Sequence, residues 1–220
     1  MTFNRNERFK EYLKRSQDKG QPCKKMFARV IEEINKDKEY CKEQTTTGNL
    51  IIKSTIVPKD IKKLTSGFRN HHIIYNPEFL TEKNANEDFI NPSMHIFGGD
   101  EPATKALEKF YHDYTICTPC PTVHCSPEEA SFKKYGINSY LASKVAWFNQ
   151  FYDIVERADQ NWNTIVNAIG NDVRIGHSHT RVPGYDGKRG YGGACFPKDT
   201  SALFNHDKGF TLLGECVRIN

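Results

Sequence analysis

Cys195 stands in the run Gly190-Tyr191-Gly192-Gly193-Ala194-Cys195-Phe196-Pro197-Lys198-Asp199-Thr200, a glycine-rich turn leading into what reads as the start of a helix. The glycines allow positive φ and close backbone approach, and Pro197 suits a first helical turn, where no backbone N–H is missed. A sulfur delivered to a helix N-terminus meets free N–H groups and the positive end of the dipole, and Lys198 adds a cation nearby. The chemistry this favours is thiolate attack on an electrophilic carbon; a buried cysteine after an ordinary loop is the plainer alternative. Two further pairs matter. Lys134 and Asn138 are four apart, so on a helix they share a face and can reach one atom together. Thr55 and Glu78 each follow a short apolar run that reads as a strand, where an exposed polar residue is the bland reading of either alone.

The elements that must position these residues follow from local pattern. Asn49 to Ile52, His71 to Tyr75 and Met94 to Phe97 are strand candidates, and helical patterns open at Pro58 and run from Pro102 to Tyr114. Strand and helix in alternation argue for an α/β fold with a parallel sheet, in which ligands gather at the carboxyl ends of the strands. Upstream, Phe27, Val30, Ile31 and Ile34 form a helical stripe between Lys24 and Cys41, after a turn near Gln21-Pro22. Ser126-Pro127-Glu128-Glu129 combines a capping serine, a proline and first-turn acids, and opens a helix whose apolar and aromatic residues continue to Val155. One face cannot hide that much apolar surface in a small domain, which points to a partner helix. A further helix is expected from Asn161 to Gly170, another from Pro197 to Asn205, and a short amphipathic piece from Phe210 to Asn220.

The cysteine loop, with Lys53-Ser54-Thr55-Ile56-Val57-Pro58, Asn76-Pro77-Glu78-Phe79-Leu80, Lys134-Tyr135-Gly136-Ile137-Asn138 and Asp172-Val173-Arg174-Ile175-Gly176, resembles the UDP-glucose/GDP-mannose dehydrogenase family in the family's own order. The resemblance is nearest to the UDP-glucose 6-dehydrogenases and spans roughly residues 49 to 206. Members oxidise a nucleotide sugar at C6 to the uronic acid with NAD. The resemblance implies a partial Rossmann-like parallel sheet in an NAD-binding domain over residues 1–125, followed at 126–220 by a mostly helical central domain whose long helix forms a dimer core. It implies catalytic roles for Cys195, Lys134, Asn138, Asp199, Thr55 and Glu78. Phe79, Leu80, Glu82, Arg174 and Gly192 fall where the family grips the sugar nucleotide, Arg174 reaching across the dimer, and Thr55, Glu82 and Lys198 fall where it meets the cofactor.

The family's Gly-x-Gly-x-x-Gly turn, which seats the NAD pyrophosphate on a helix N-terminus, has no counterpart here. The Gly-x-Gly at Gly190-Tyr191-Gly192 carries Cys195 where a third glycine would fall. The family's C-terminal UDP-binding domain is likewise absent from the sequence. Expected partners are therefore UDP-glucose or a related nucleotide sugar, a second copy of the chain, and a companion chain supplying the NAD site. The alternative is a non-catalytic relative that serves as a dimerisation or sugar-nucleotide-binding module.

With a net charge of +4 and 26% charged residues, composition points to neither nucleic acid nor membrane. The polar amino-terminal residues and seven cysteines without a regular framework suggest a reducing, cytoplasmic setting. Cys117-Thr118-Pro119-Cys120 with His124 and Cys125 offers zinc-like spacing, but no second pair follows downstream. The resemblance makes this segment the strand entering the next domain, while the zinc reading would make the chain an interaction protein.

Overall fold

In the computed structural model, residues 48–66, 71–81 and 84–220 are described. The helix expected between Lys24 and Cys41, the turn before it, and Glu82 lie outside the described residues. Four strands form one sheet in the order β1 (Gly48–Ile52), β2 (His71–Tyr75), β3 (His95–Gly98) and β4 (Thr122–Cys125). β1 pairs with β2 in parallel from Gly48 opposite His71 to Ile52 opposite Tyr75, and β3 pairs with β4 in parallel from His95 opposite Thr122 to Gly98 opposite Cys125.

The β2 to β3 junction differs from the all-parallel expectation: it is antiparallel and rests on Tyr75 opposite Gly98. The connections explain why. A parallel return needs a crossover that packs on the sheet. α1 (Pro58–Ser66) joins β1 to β2 and buries Ile61 and Leu64, and α3 (Glu101–Tyr114) joins β3 to β4 and buries Ala103, Leu107 and Tyr111. Between β2 and β3 lies only α2 (Ala85–Ile90), a six-residue helix that buries none of its side chains. It covers nothing, so it does not return the chain in parallel.

The core beneath α3 joins Ile74 and Phe97 of the sheet to Ala103, Leu107 and Tyr111. Beyond β4, the Ser126 hydroxyl accepts from the Glu129 N–H at 3.2 Å, and Glu129 Oε2 accepts from the Ser126 N–H at 2.8 Å. This reciprocal cap starts α4 (Pro127–Arg157), whose 31 residues extend roughly 46 Å. α4 packs on α1, β2 and β3 and also on α6 (Phe196–His206) and α7 (Thr211–Ile219). Phe148 and Val155 near its end enclose a separate core with Trp162 and Val166 of α5 (Trp162–Gly170) and with Val182. The long helix is thus the spine to which sheet and cysteine loop both attach.

Candidate active site

α4 brings two polar side chains into the interior. Lys134 and Asn138 are each only 6% exposed and face α6, as four-residue spacing requires. Opposite them, the turn before α6 takes positive φ at Gly190 and Gly193, at 78° and 74°. That backbone sets Cys195 at the N-cap, with Pro197 in the first turn. Cys195 is exposed and free, its side chain makes no capping bond, and its carbonyl accepts from the Asp199 N–H at 2.9 Å.

Asp199, 1% exposed, is the hub. Its Oδ2 accepts from Asn138 Nδ2 at 2.6 Å and its Oδ1 lies 2.5 Å from Lys198 Nζ. A carboxylate this deep must be paired on both oxygens, and here it is. Lys198, expected to lend its charge to the sulfur, instead spends its ion pair on Asp199. Lys134 Nζ donates to the Glu78 carbonyl at 2.5 Å and sits 4.7 Å from the Phe79 ring centre. Burial pulls its pKa below the ordinary lysine value, opposed by the negative fields of Asp199 and Cys195. An ammonium stripped of water this way interacts strongly with any negative charge that develops beside it.

The segment after β1 is fixed to the same place. Ser131 of α4 donates to the Ile56 carbonyl at 2.5 Å, while the Ile56 N–H donates to Tyr75 Oη at 3.3 Å. Thr55, one residue earlier, is half-buried at the carboxyl end of β1. Burial pushes the Tyr75 phenol up to about 12, and the charge of Asp199 adds to the rise. Glu78, Phe79 and Leu80 are half-buried beyond β2 and line a cavity of about 160 Å³ with Lys53, Asn76 and Tyr111.

Cys195, Lys134, Asn138, Asp199, Lys198, Glu78 and Phe79 are therefore interlinked, with Thr55 next to them through Ile56. Gly192 is exposed in the same loop, with open space where a side chain would project. Arg174 stands apart: its guanidinium is 85% exposed and forks onto Asp172, with Nε to Oδ1 at 2.9 Å. Tyr75, Ser131 and Lys53 are supporting residues to which sequence reasoning gave no role. Lys53 lay within a quoted motif, and its place just after a strand was the available signal.

A second concavity of about 1010 Å³ runs along α4, α6 and α7 past Tyr140, Trp147 and Phe210, and none of the cluster residues lines it. Among the described residues, no group of three or more His, Cys, Asp or Glu side chains is arranged to hold a metal. No described helix is long and apolar enough to cross a membrane.

Two family models match consecutive parts of the chain. Residues 17–115 match the UDP-glucose/GDP-mannose dehydrogenase family, NAD binding domain, and residues 128–219 match the same family's central domain. The UDP-glucose 6-dehydrogenase YwqF of Bacillus subtilis is 27% identical over 214 residues, covering 91% of this chain and 47% of that protein. A UDP-glucose 6-dehydrogenase of Streptococcus pneumoniae is 34% identical over 169 residues, covering 74% of this chain and 42% of the relative. The chain thus spans under half the length of these relatives. The structure of a UDP-glucose dehydrogenase from Pyrobaculum islandicum superposes with a TM-score of 0.68 at 29% identity, over 78% of this chain and 40% of that one. A UDP-D-ManNAc dehydrogenase from Pyrococcus horikoshii, at 24% identity, shares the fold with a TM-score of 0.65 over 77% of this chain and 41% of that one. The ordered motifs, the sheet leading into a long helix and the two adjoining matches agree: the chain belongs to the UDP-glucose/GDP-mannose dehydrogenase family.

Proposed function

We propose that this chain carries the chemical centre for oxidising UDP-glucose, or a related nucleotide sugar, at C6 to the uronic acid. The observation that carries the reading is the convergence of an exposed Cys195 with buried Lys134, Asn138 and Asp199 at the N-terminus of α6. Two NAD, bound one after the other, would each accept one hydride. The rest of the chemistry falls to the chain. A relay through Asp199 and Thr55 removes the C6 hydroxyl proton as the first hydride leaves, and the Cys195 sulfur adds to the aldehyde to give a thiohemiacetal. Loss of the second hydride leaves a thioester. Water then cleaves the C–S bond with Glu78 as acid/base, releasing the carboxylic acid and the free thiol. Lys134 and Asn138 stabilise the oxyanion at each tetrahedral stage, where a desolvated cation and an amide fixed through Asp199 need no reorganisation.

Phe79, Leu80, Glu82, Gly192 and Arg174 are proposed to hold the sugar nucleotide. The side-chain-free space at Gly192 and the exposure of Arg174 support contacts with a ligand or a neighbouring subunit. For NAD, Thr55 at the end of β1 and Lys198 beside Asp199 fit the reacting end of the cofactor. A companion chain supplying the site for its pyrophosphate is proposed as a further partner. The division at residues 125 and 126, between the sheet of an NAD-binding domain and a central helical domain, belongs to this reading.

A homodimer is proposed through α4, where Tyr140, Trp147 and Ile154, each at least half exposed, recur every seven residues on one side of the helix. The free thiols of the described cysteines suit the cytoplasm. The test is NADH formation when the purified chain, with any companion that co-purifies, is mixed with UDP-glucose and NAD, against Cys195→Ser. Acid with two NADH per UDP-glucose is expected from the parent, and no acid from the variant. UDP-glucose binding without NADH would replace catalysis by a sugar-nucleotide-binding module, and undiminished acid formation by C195S would end the covalent scheme.

A further inference from the structure

Nothing in the reaction above uses Lys53, yet it is the most fully bonded cation near the site. Glu78 is held by two different lysines. Its main-chain carbonyl accepts from Lys134 Nζ at 2.5 Å, and its carboxylate Oε1 lies 2.9 Å from Lys53 Nζ. Lys53 Nζ also donates to Tyr111 Oη at 2.7 Å and to Asn76 Oδ1 at 3.3 Å, so all three ammonium donors are directed. The ring centres of Tyr111 and Phe89 lie 5.5 and 5.7 Å from the nitrogen.

The supports are themselves fixed. Tyr111 Oη donates to Asn76 Oδ1 at 3.0 Å, Asn76 Nδ2 donates to the Ile96 carbonyl at 3.0 Å, and the Asn76 N–H donates to the Ile52 carbonyl at 2.8 Å. The backbone leading to Glu78 is thereby tied to β1, β3 and α3, which leaves the glutamate side chain as the movable part. The Lys53 and Glu78 side chains are 33% and 37% exposed, and an ion pair that open contributes little net stability. Its consequence is where it puts the carboxylate.

We infer that Lys53 is a positioning residue for Glu78: braced by Tyr111 and Asn76, it fixes where the carboxylate rests while the carbonyl of the same residue meets Lys134, and so governs the step in which Glu78 acts. The inference rests on the dehydrogenase reading, and its effect falls on hydrolysis of the Cys195 thioester rather than on substrate binding. With Lys53→Met, the glutamate loses its anchor while Lys134 and Cys195 keep theirs. The expected result is a fall in kcat of about tenfold or more with KM for UDP-glucose falling in parallel, so that kcat/KM stays within about twofold of the parent. Intact-protein mass spectrometry should show the uronyl nucleotide retained on Cys195. Lys53→Arg, which keeps the charge, should restore most of the rate and clear the adduct.

A thermal double-variant cycle reports the contact without any turnover. If Lys53 acts through Glu78, the loss in melting temperature of K53M/E78Q is smaller than the sum of the two single-variant losses. Additive losses overturn the inference, as does normal thioester clearance by K53M in a parent that makes NADH. A parent that makes no NADH overturns the dehydrogenase reading and with it the role assigned here, while the cycle still reports whether Lys53 holds Glu78. Should K53M fail to fold, Tyr111→Phe removes one brace and leaves the charge, and the same adduct at a lower level is expected; its absence counts against the inference.

Discussion

Charge at the candidate centre is organised by burial more than by distance. Asp199 is almost completely enclosed and receives Asn138 and Lys198, while Lys134, nearly as enclosed, meets a backbone carbonyl and the Phe79 ring but no carboxylate at ion-pair distance among the described residues. The difference leaves Lys134 the cation with unspent attraction for a developing oxyanion. Tyr75 shows the same burial acting on a neutral group. Its phenol rises from 10.0 to about 12 chiefly through desolvation, so the folded chain holds this proton more tightly than the unfolded chain. The associated stability is fully present below pH 10 and is lost as the pH climbs toward 12, by roughly 2–3 kcal/mol in all. Tyr75→Phe should cost about 1 kcal/mol at neutral pH, because the Ile56 N–H loses its acceptor, and should lack this alkaline loss. Urea denaturation of both proteins at neutral pH and near pH 11 checks it. The gap between them should shrink or reverse in alkali, and a constant gap would refute the assignment.

Among the elements, the joint between β3 and α4 leaves no room for a side chain at residue 98. A Cβ added at Gly98 would fall 2.7 Å from the Pro127 Cα and 2.9 Å from the Ala130 Cβ, and neither is the end of a flexible side chain. The sheet therefore approaches the start of α4 as closely as it does because residue 98 has no side chain. Gly98→Ala should destabilise by about 2 kcal/mol or more, through displacement of the helix that carries Lys134 and Asn138. Gly136, on the exposed side of the same helix, has no atom within 4 Å of such a Cβ. Gly136→Ala should stabilise by about 0.5–1 kcal/mol, since alanine restricts the unfolded chain and suits a helix interior. Chemical denaturation of the two variants should move in opposite directions. Equal effects would mean that the contact at Gly98 is not what sets the seating of α4.

At the scale of the whole molecule, the concavity of about 1010 Å³ and the Cys195 cluster are separate features on the same spine. Tyr140 at 66% exposure, Trp147 at 53%, Ile154 at 53% and Leu212 at 66% lie along α4 and α7, and exposed apolar side chains of this kind fit the partner subunit proposed above. Under the dimer proposal, Trp147→Glu should shift the chain from dimer to monomer in light scattering while circular dichroism stays unchanged. A monomeric parent, or a variant that remains dimeric, would remove α4 as the interface. Arg174, whose side chain is 85% exposed and paired among the described residues with its near neighbour Asp172, has a place in the proposed reaction only under the dimer proposal.

What the sequence by itself determined was local. The reciprocal cap of Ser126 and Glu129, the cysteine at a helix start after two positive-φ glycines, and the shared face of Lys134 and Asn138 all depend on residues within a few positions of one another. Backbone hydrogen bonding and short-range periodicity fix such features whatever the rest of the chain does, and β1, β2, β3 and most helices were legible for the same reason, whereas β4 followed only from the family resemblance. Only the tertiary structure decided that β3 runs antiparallel to β2, because a covering crossover is a property of packing and α2 offers no face to bury. Only it decided that Lys134 meets the Glu78 carbonyl across 56 positions and that Asn138 meets Asp199 across 61. The division of Glu78 between two lysines is of the same kind: a side chain's partner at that separation is set by where the chain returns, and no pattern of neighbouring residues encodes it.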